Sequence, residues 1–261
     1  MQIYSSFRYQ LFSHKKDLLV YYLILVGMQV LAYLVSIPLT LVSAGNGGLV
    51  ITSSSGISAI SCIFLLVAGI CSFRESFSMA LQNGVSRRNL FFGRLCASAA
   101  LCLIMAMIDE ASTLLLRLAG LLPGVQTESF SLLETVFSSA LSGLSPVLVA
   151  FAAVPFSFCL LLAFGALGYF ISTLFYRLNK LGKLLIGIGS ALLLLVGLPG
   201  VFELYDHYPQ WPLWPVLGKA LFSFFHLAFG APWNAGVSCL ILFGVFSLFT
   251  WLLMRRAELK K

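Results

Sequence analysis

Charge is what this chain has least of. From Leu18 through Phe73 there is no Asp, Glu, Lys or Arg, and charged residues make up 10% of the 261 residues against 60% apolar and 14% aromatic. That scarcity excludes an ordinary soluble domain and points to an integral membrane protein. Other absences narrow the chemistry. The six cysteines fall inside or at the edges of the predicted helices, with no CxxC pair, so neither a disulfide framework nor a metal knuckle is indicated. The three histidines, His14, His207 and His226, are scattered along the chain, which argues against a metal site. A phosphate-binding loop needs GxxxxGK[ST], but Gly182-Lys183 and Gly218-Lys219 are followed by Leu184 and Ala220. The chain is therefore not expected to hydrolyse ATP or to be an enzyme.

A hydrocarbon core about 30 Å thick takes about 20 apolar residues per helix. On that criterion the chain is an all-α, single-domain membrane protein with six spans, at 18–42, 51–73, 90–116, 147–176, 184–201 and 235–254. Ala44-Gly45-Asn46-Gly47-Gly48 is the turn between the first two. Ser145-Pro146 starts the fourth, and Pro155 is expected to kink it. Residues 1–17 read as an interfacial elbow helix with Ile3, Tyr4, Phe7 and Leu11 on its apolar face, a disordered tail being the alternative. Val42-Ser43-Ala44 resembles a signal-cleavage site, but the apolar run before it is too long for a signal core, so the N-terminus is expected to be retained. Phe130 to Leu144 is expected to form a short interfacial helix.

The charges that are present fall into a pattern. With six spans, fourteen of the sixteen Lys and Arg lie on one side; Arg117 and Lys219 lie on the other, together with Asp109, Glu110, Glu128, Glu134, Glu203 and Asp206. The positive-inside rule makes the basic side cytoplasmic and puts both termini there. Leu213 to Gly230 is then a re-entrant or interfacial outer segment, although a seventh crossing stays open. The net charge of +7 reads as an orientation signal and a match to anionic inner-leaflet lipid, not as a nucleic-acid footprint. Tyr205, Tyr208, Trp211, Trp214 and Trp233, set among prolines, form an aromatic belt or a lid at the outer interface.

Asp109 and Glu110 are the one acidic pair near membrane depth, roughly 22 Å up helix 3 from Arg94. With Arg117, which returns to their helical face, they are candidates for a pathway or gate; the alternative is a helix end emerging early with both carboxylates solvated. An intramembrane protease with a Glu-Glu-x-x-x-Arg motif is poorly matched. Ser54 and Ser55, in the polar start of helix 2, offer hydroxyls for a pathway or small residues for packing.

The segment Arg74 to Arg94 reads as a helix–turn–helix tip. Asn83-Gly84 supplies the left-handed residue that ends a helix, Val85 the hydrophobic contact of that cap, and Ser86 an N-cap for the helix that follows. On local chemistry alone, any cytoplasmic hairpin has these parts. The string from Phe77 to Arg88, FSMALQNGVSRR, and the start of helix 3 nevertheless resemble the small type-2 ATP-binding-cassette permeases of bacteria, and the rest of the chain matches that family in layout. The resemblance implies a permease subunit in the bacterial cytoplasmic membrane. It further implies a second permease, a separate ATPase subunit carrying ATP and Mg, and export of a hydrophobic or amphipathic compound. It makes the helix 2–3 loop a coupling element, whose ATPase-facing residues would be Glu75, Phe77, Leu81, Gln82, Asn83, Gly84, Val85, Ser86, Arg87 and Arg88. A secondary transporter would show repeated halves with paired helix breaks, which are not evident here. A non-transporting membrane scaffold or sensor would keep this topology without an ATPase.

Overall fold

The computed structural model describes residues 2–43, 51–53, 56–119, 127–141, 143, 145–192, 219, 223 and 226–255. Among the described residues the helices named are α1 (Gln2–Ser43), α2 (Gly56–Gln82), α3 (Arg87–Ala119), α4 (Leu132–Leu141), α5 (Pro146–Arg177), α6 (Lys180–Leu192) and α7 (Pro232–Arg255). The expected all-helical architecture holds except for one short parallel pair, β1 (Ile51–Ser53) with β2 (Thr127–Ser129), in the register Ile51 to Thr127. Among the described residues three helical stretches are long and apolar enough to cross a membrane, Arg87–Arg117, Val147–Arg177 and Pro232–Arg255, and Ile57–Phe73 is a shorter apolar helix.

Several boundaries differ from the sequence reading. Residues 2–17 are not a separate elbow: α1 continues without a break from Gln2 to Ser43. Ser6 and Gln10 are buried, Tyr4 is exposed, and the Gln10 amide Nε2 donates to the Leu90 carbonyl at 3.4 Å. The helix expected as the second span begins at Gly56 rather than at residue 51, because Ile51–Ser53 extends to pair with β2. α6 begins at Lys180, four residues before the expected start, and α7 at Pro232. α5 starts at Pro146 and runs to Arg177 with Pro155 inside it. The Ala44–Gly48 turn, Ser54, Ser55, residues 193–201, most of the aromatic outer loop and the tail from Arg256 lie outside the described residues.

α5 is the central helix, packed against α2, α7, α3 and α4, while α1 lies along α3. Close approach of α2 to α5 depends on a missing side chain: a Cβ at Gly168 would clash with the Leu66 carbonyl oxygen. Three apolar clusters follow the bundle from end to end. One pole holds Phe73, Phe77, Leu90, Phe91, Tyr169 and Met254. The middle holds Tyr21, Cys62, Leu65, Cys102, Met105 and Leu161, and the far pole Leu133, Phe137, Ala153, Phe156 and Ala235. Large apolar side chains such as Leu19, Leu23 and Leu31 of α1 and Ile241 and Leu248 of α7 face outward, as they do where the surroundings are lipid or protein.

Candidate functional site

The α2–α3 tip is built as its sequence predicts. Gly84 has φ +70°, the Val85 N–H donates to the Ala80 carbonyl at 3.0 Å, and the Asn83 N–H donates to Met79 at 3.1 Å, a Schellman-type termination. Asn83 Nδ2 adds a second bond to the Met79 carbonyl at 2.9 Å. On the other side Ser86 Oγ accepts the Asn89 N–H at 3.3 Å, and the Ser86 carbonyl accepts from Leu90 at 3.0 Å, so α3 starts at once.

The tip sits on an aromatic seat. Phe73 and Phe77 stack with centroids 5.1 Å apart, and Tyr176 meets both rings edge-on at 5.4 and 5.7 Å. Phe91 contacts Trp251 of α7 at 5.1 Å. Arg87 Nη1 donates to the Arg255 carbonyl at 2.8 Å, placing a cation on the last turn of α7, where the helix dipole is negative. The ends of α2, α5 and α7 and the start of α3 are therefore fastened together at one pole.

This seat divides the ten tip residues singled out from the sequence. Phe77 is 1% exposed and belongs to the core, Val85 packs against that cluster, and Arg87 is engaged by α7. Gln82, Asn83, Gly84, Ser86 and Arg88 are exposed on the outward surface. The side chains of Glu75 and Leu81 lie outside the described residues.

Just inside the tip, Arg94 is held by neutral partners. Nη1 donates to His14 Nε2 at 2.6 Å, Nη2 donates to Ser72 Oγ at 2.7 Å, and the guanidinium lies over the Tyr169 ring at 5.0 Å. Arginine only donates, so Nε2 of His14 is the acceptor and its proton sits on Nδ1, which faces Asp17 Oδ2 at 3.6 Å. Burial, and next the Arg94 charge, hold the His14 pKa down at about 4.

Asp109 and Glu110 lie roughly 32 Å along α3 from Arg88. They are not solvated: Asp109 is 0% and Glu110 2% exposed, which overturns the early-emerging helix end. α3 turns the two carboxylates to different neighbours. The Tyr22 hydroxyl of α1 donates to Asp109 Oδ1 at 2.9 Å, and the Ser157 hydroxyl of α5 donates to Glu110 Oε1 at 2.8 Å. Asp109 Oδ2 is buried with no hydrogen-bond partner among the described residues. Beside them, the Tyr21 and Ser61 hydroxyls are 2.7 Å apart.

Arg117, expected on the face of the acidic pair, forms an ion pair with Glu134 at the start of α4. Glu134 is also one half of a capping box: its carboxylate accepts the Ser131 N–H at 2.8 Å, and Ser131 Oγ accepts the Glu134 N–H at 3.3 Å. The signal for this is the tetrapeptide Ser131-Leu132-Leu133-Glu134, which marks the helix start within the stretch expected to be helical. No spacing rule points from Arg117 to a residue across the loop.

Compared with protein-family models, curated proteins and solved structures, the chain matches none.

Proposed function

We propose that the chain is the permease subunit of an ATP-driven exporter in the bacterial cytoplasmic membrane. It has six membrane spans with both termini in the cytosol, pairs with a second permease, and moves a hydrophobic or amphipathic compound. A separate ATPase, carrying ATP and Mg, bears on the tip between α2 and α3. The observation that carries this reading is the tip itself: a turn closed by caps on both sides, with Asn83, Ser86 and Arg88 outward and Phe77 and Arg87 anchored to α5 and α7. A force on such a turn cannot be absorbed by bending it. It passes to α2, α3, α5 and α7 as rigid-body motion. The exposed Arg88 offers an acidic ATPase surface a cation. Asp109 and Glu110 stand at the far end of the same helix, where a displacement of α3 against α1 and α5 would act on the Tyr22 and Ser157 bonds.

The test is recovery of the chain from native membranes through an affinity tag. A subunit with Walker motifs should accompany it in stoichiometric amount, and Arg88→Glu should reduce that subunit at least several-fold while leaving membrane insertion intact. Purification without any such ATPase would leave a scaffold or sensor as the better reading.

A further inference from the structure

Two buried side-chain oxygens have no hydrogen-bond partner among the described residues, Gln10 Oε1 and Asp109 Oδ2. The first belongs to a neutral amide. The second belongs to a carboxyl group, which in its ionised form would carry a full charge at 0% exposure.

Among the described residues Asp109 is surrounded by hydroxyl and thiol groups. From α1 the Tyr22 hydroxyl donates to Oδ1 at 2.9 Å, with the Met105 carbonyl a second acceptor at 3.3 Å. From α2 the Ser61 hydroxyl lies beside the carboxyl, 2.7 Å from the Tyr21 hydroxyl, and Cys62 is the neighbouring thiol. On α3 itself Glu110 is turned to Ser157 of α5, and Arg117 is paired with Glu134. The ion pairs among the described residues are His14 with Asp17 and Arg117 with Glu134, and neither includes Asp109. An ionised carboxylate needs several donors or a cation before it can be buried, and one donor on one oxygen does not meet that need. A carboxylic acid fits what is there. Its carbonyl oxygen Oδ1 accepts from Tyr22, and an unmatched O–H at Oδ2 costs far less than an unmatched charge.

We propose that Asp109 is a proton-binding site: it carries one proton on Oδ2 while α1, α2 and α3 are packed as they are here, and gives it up to water when α1 moves off α3. On binding, an O–H bond forms at Oδ2 and the carboxylate charge is cancelled. On release that bond breaks, the proton passes to water, and the returning charge is solvated by the water that entered. Tyr22 is the positioning residue, since its hydroxyl is the hold of α1 on the carboxyl. The site lies within one chain and does not rest on the exporter reading; it stands whether or not an ATPase binds the tip.

The experiment is infrared spectroscopy of the full chain in lipid nanodiscs at about pH 8, where accessible carboxyl groups are ionised. A heavy-carbon label at the aspartate side-chain carboxyl separates Asp17, Asp109 and Asp206 from the glutamates. The wild type should show a carboxylic-acid C=O band that moves with the aspartate label and shifts down with time in heavy water as the proton exchanges. Asp109→Asn should remove the band and, as a neutral isostere, keep the unfolding midpoint close to that of the wild type. Tyr22→Phe should keep the band, raise its frequency because Oδ1 loses its donor, and speed the heavy-water shift at least several-fold; this variant carries the test if Asp109→Asn does not fold. A wild type without the aspartate band, or with a labelled carboxylate band that responds to sodium in place of choline, holds an ionised Asp109 and would overturn the assignment. So would a band that survives Asp109→Asn or that Tyr22→Phe leaves unmoved, and a band that never exchanges would overturn proton release.

Discussion

The α2–α3 tip and the Asp109–Glu110 layer share one helix, yet their polar atoms are satisfied in opposite ways. Within the turn the backbone and cap partners are near in sequence, Val85 with Ala80, Asn83 with Met79 and Asn89 with Ser86, while Arg87 reaches across to α7. At the acidic layer every side-chain partner of a carboxylate comes from another helix, Tyr22 from α1 and Ser157 from α5. Local partners make a turn that keeps its shape when pushed. Distant partners make a layer whose bonds depend on how three helices are placed, which suits a position that responds to motion.

Substitutions can sharpen or break this contrast. The largest effect is expected where the tip meets its seat. Phe77→Ala removes a fully buried ring that stacks on Phe73 and is met edge-on by Tyr176, and should cost about 3–5 kcal/mol in thermal or denaturant unfolding in detergent. Glu134→Ala should cost about 2–4 kcal/mol, because it opens the capping box and removes the ion pair with Arg117. Glu134→Gln keeps the bond to Ser131 and isolates the charge pair; if the two variants matched, the cap would contribute nothing. Tyr22→Phe takes the hydroxyl from Asp109 and should cost about 1–3 kcal/mol, while leaving the tip's hydrogen-exchange protection unchanged. Loss of tip protection in that variant would mean that the two regions are not separately held.

The smallest effect is a pH dependence at His14. Its folded pKa of about 4 lies below the ordinary 6.5, so between those values the unfolded chain binds the extra proton. Stability from this site is therefore complete above pH 6.5, falls as pH drops toward 4, and then levels. Its total is of order 1–2 kcal/mol after allowance for solvent access. His14→Gln, which still offers Arg94 an acceptor, should flatten that part of the stability–pH curve. An unaltered slope would place the titration elsewhere.

The same contrast explains what was legible in the sequence. Asn83-Gly84 and Ser86 announce a cap and a restart because the chemistry is complete within a few residues, and the structure forms both. The helical character of the chain follows from its long apolar runs. Phe77 and Arg87 read as surface residues in a polar turn, but their surroundings come from α5 and α7, which no window around the turn contains. Arg117 shows the same limit. Helical spacing returns it toward Asp109, whereas its ion pair is with a residue seventeen positions on, across a loop. The continuity of α1 is hidden in the sequence because composition changes at Leu18 without any helix breaker, so a change of surroundings mimics a boundary. The β1–β2 pair joins two segments far apart in sequence, a long-range pairing that three-residue segments do not signal.

A photoreactive phenylalanine analogue placed at Asn83, with a second at Val136 on the far pole, tests the central claim most directly in cells that carry the native membrane partners. Asn83 and Val136 are both exposed, so either probe reaches a neighbour if one is there. A crosslink from Asn83, and not from Val136, to a subunit with Walker motifs is the predicted result. No ATPase adduct at Asn83, or equal labelling from both poles, would contradict a coupling tip.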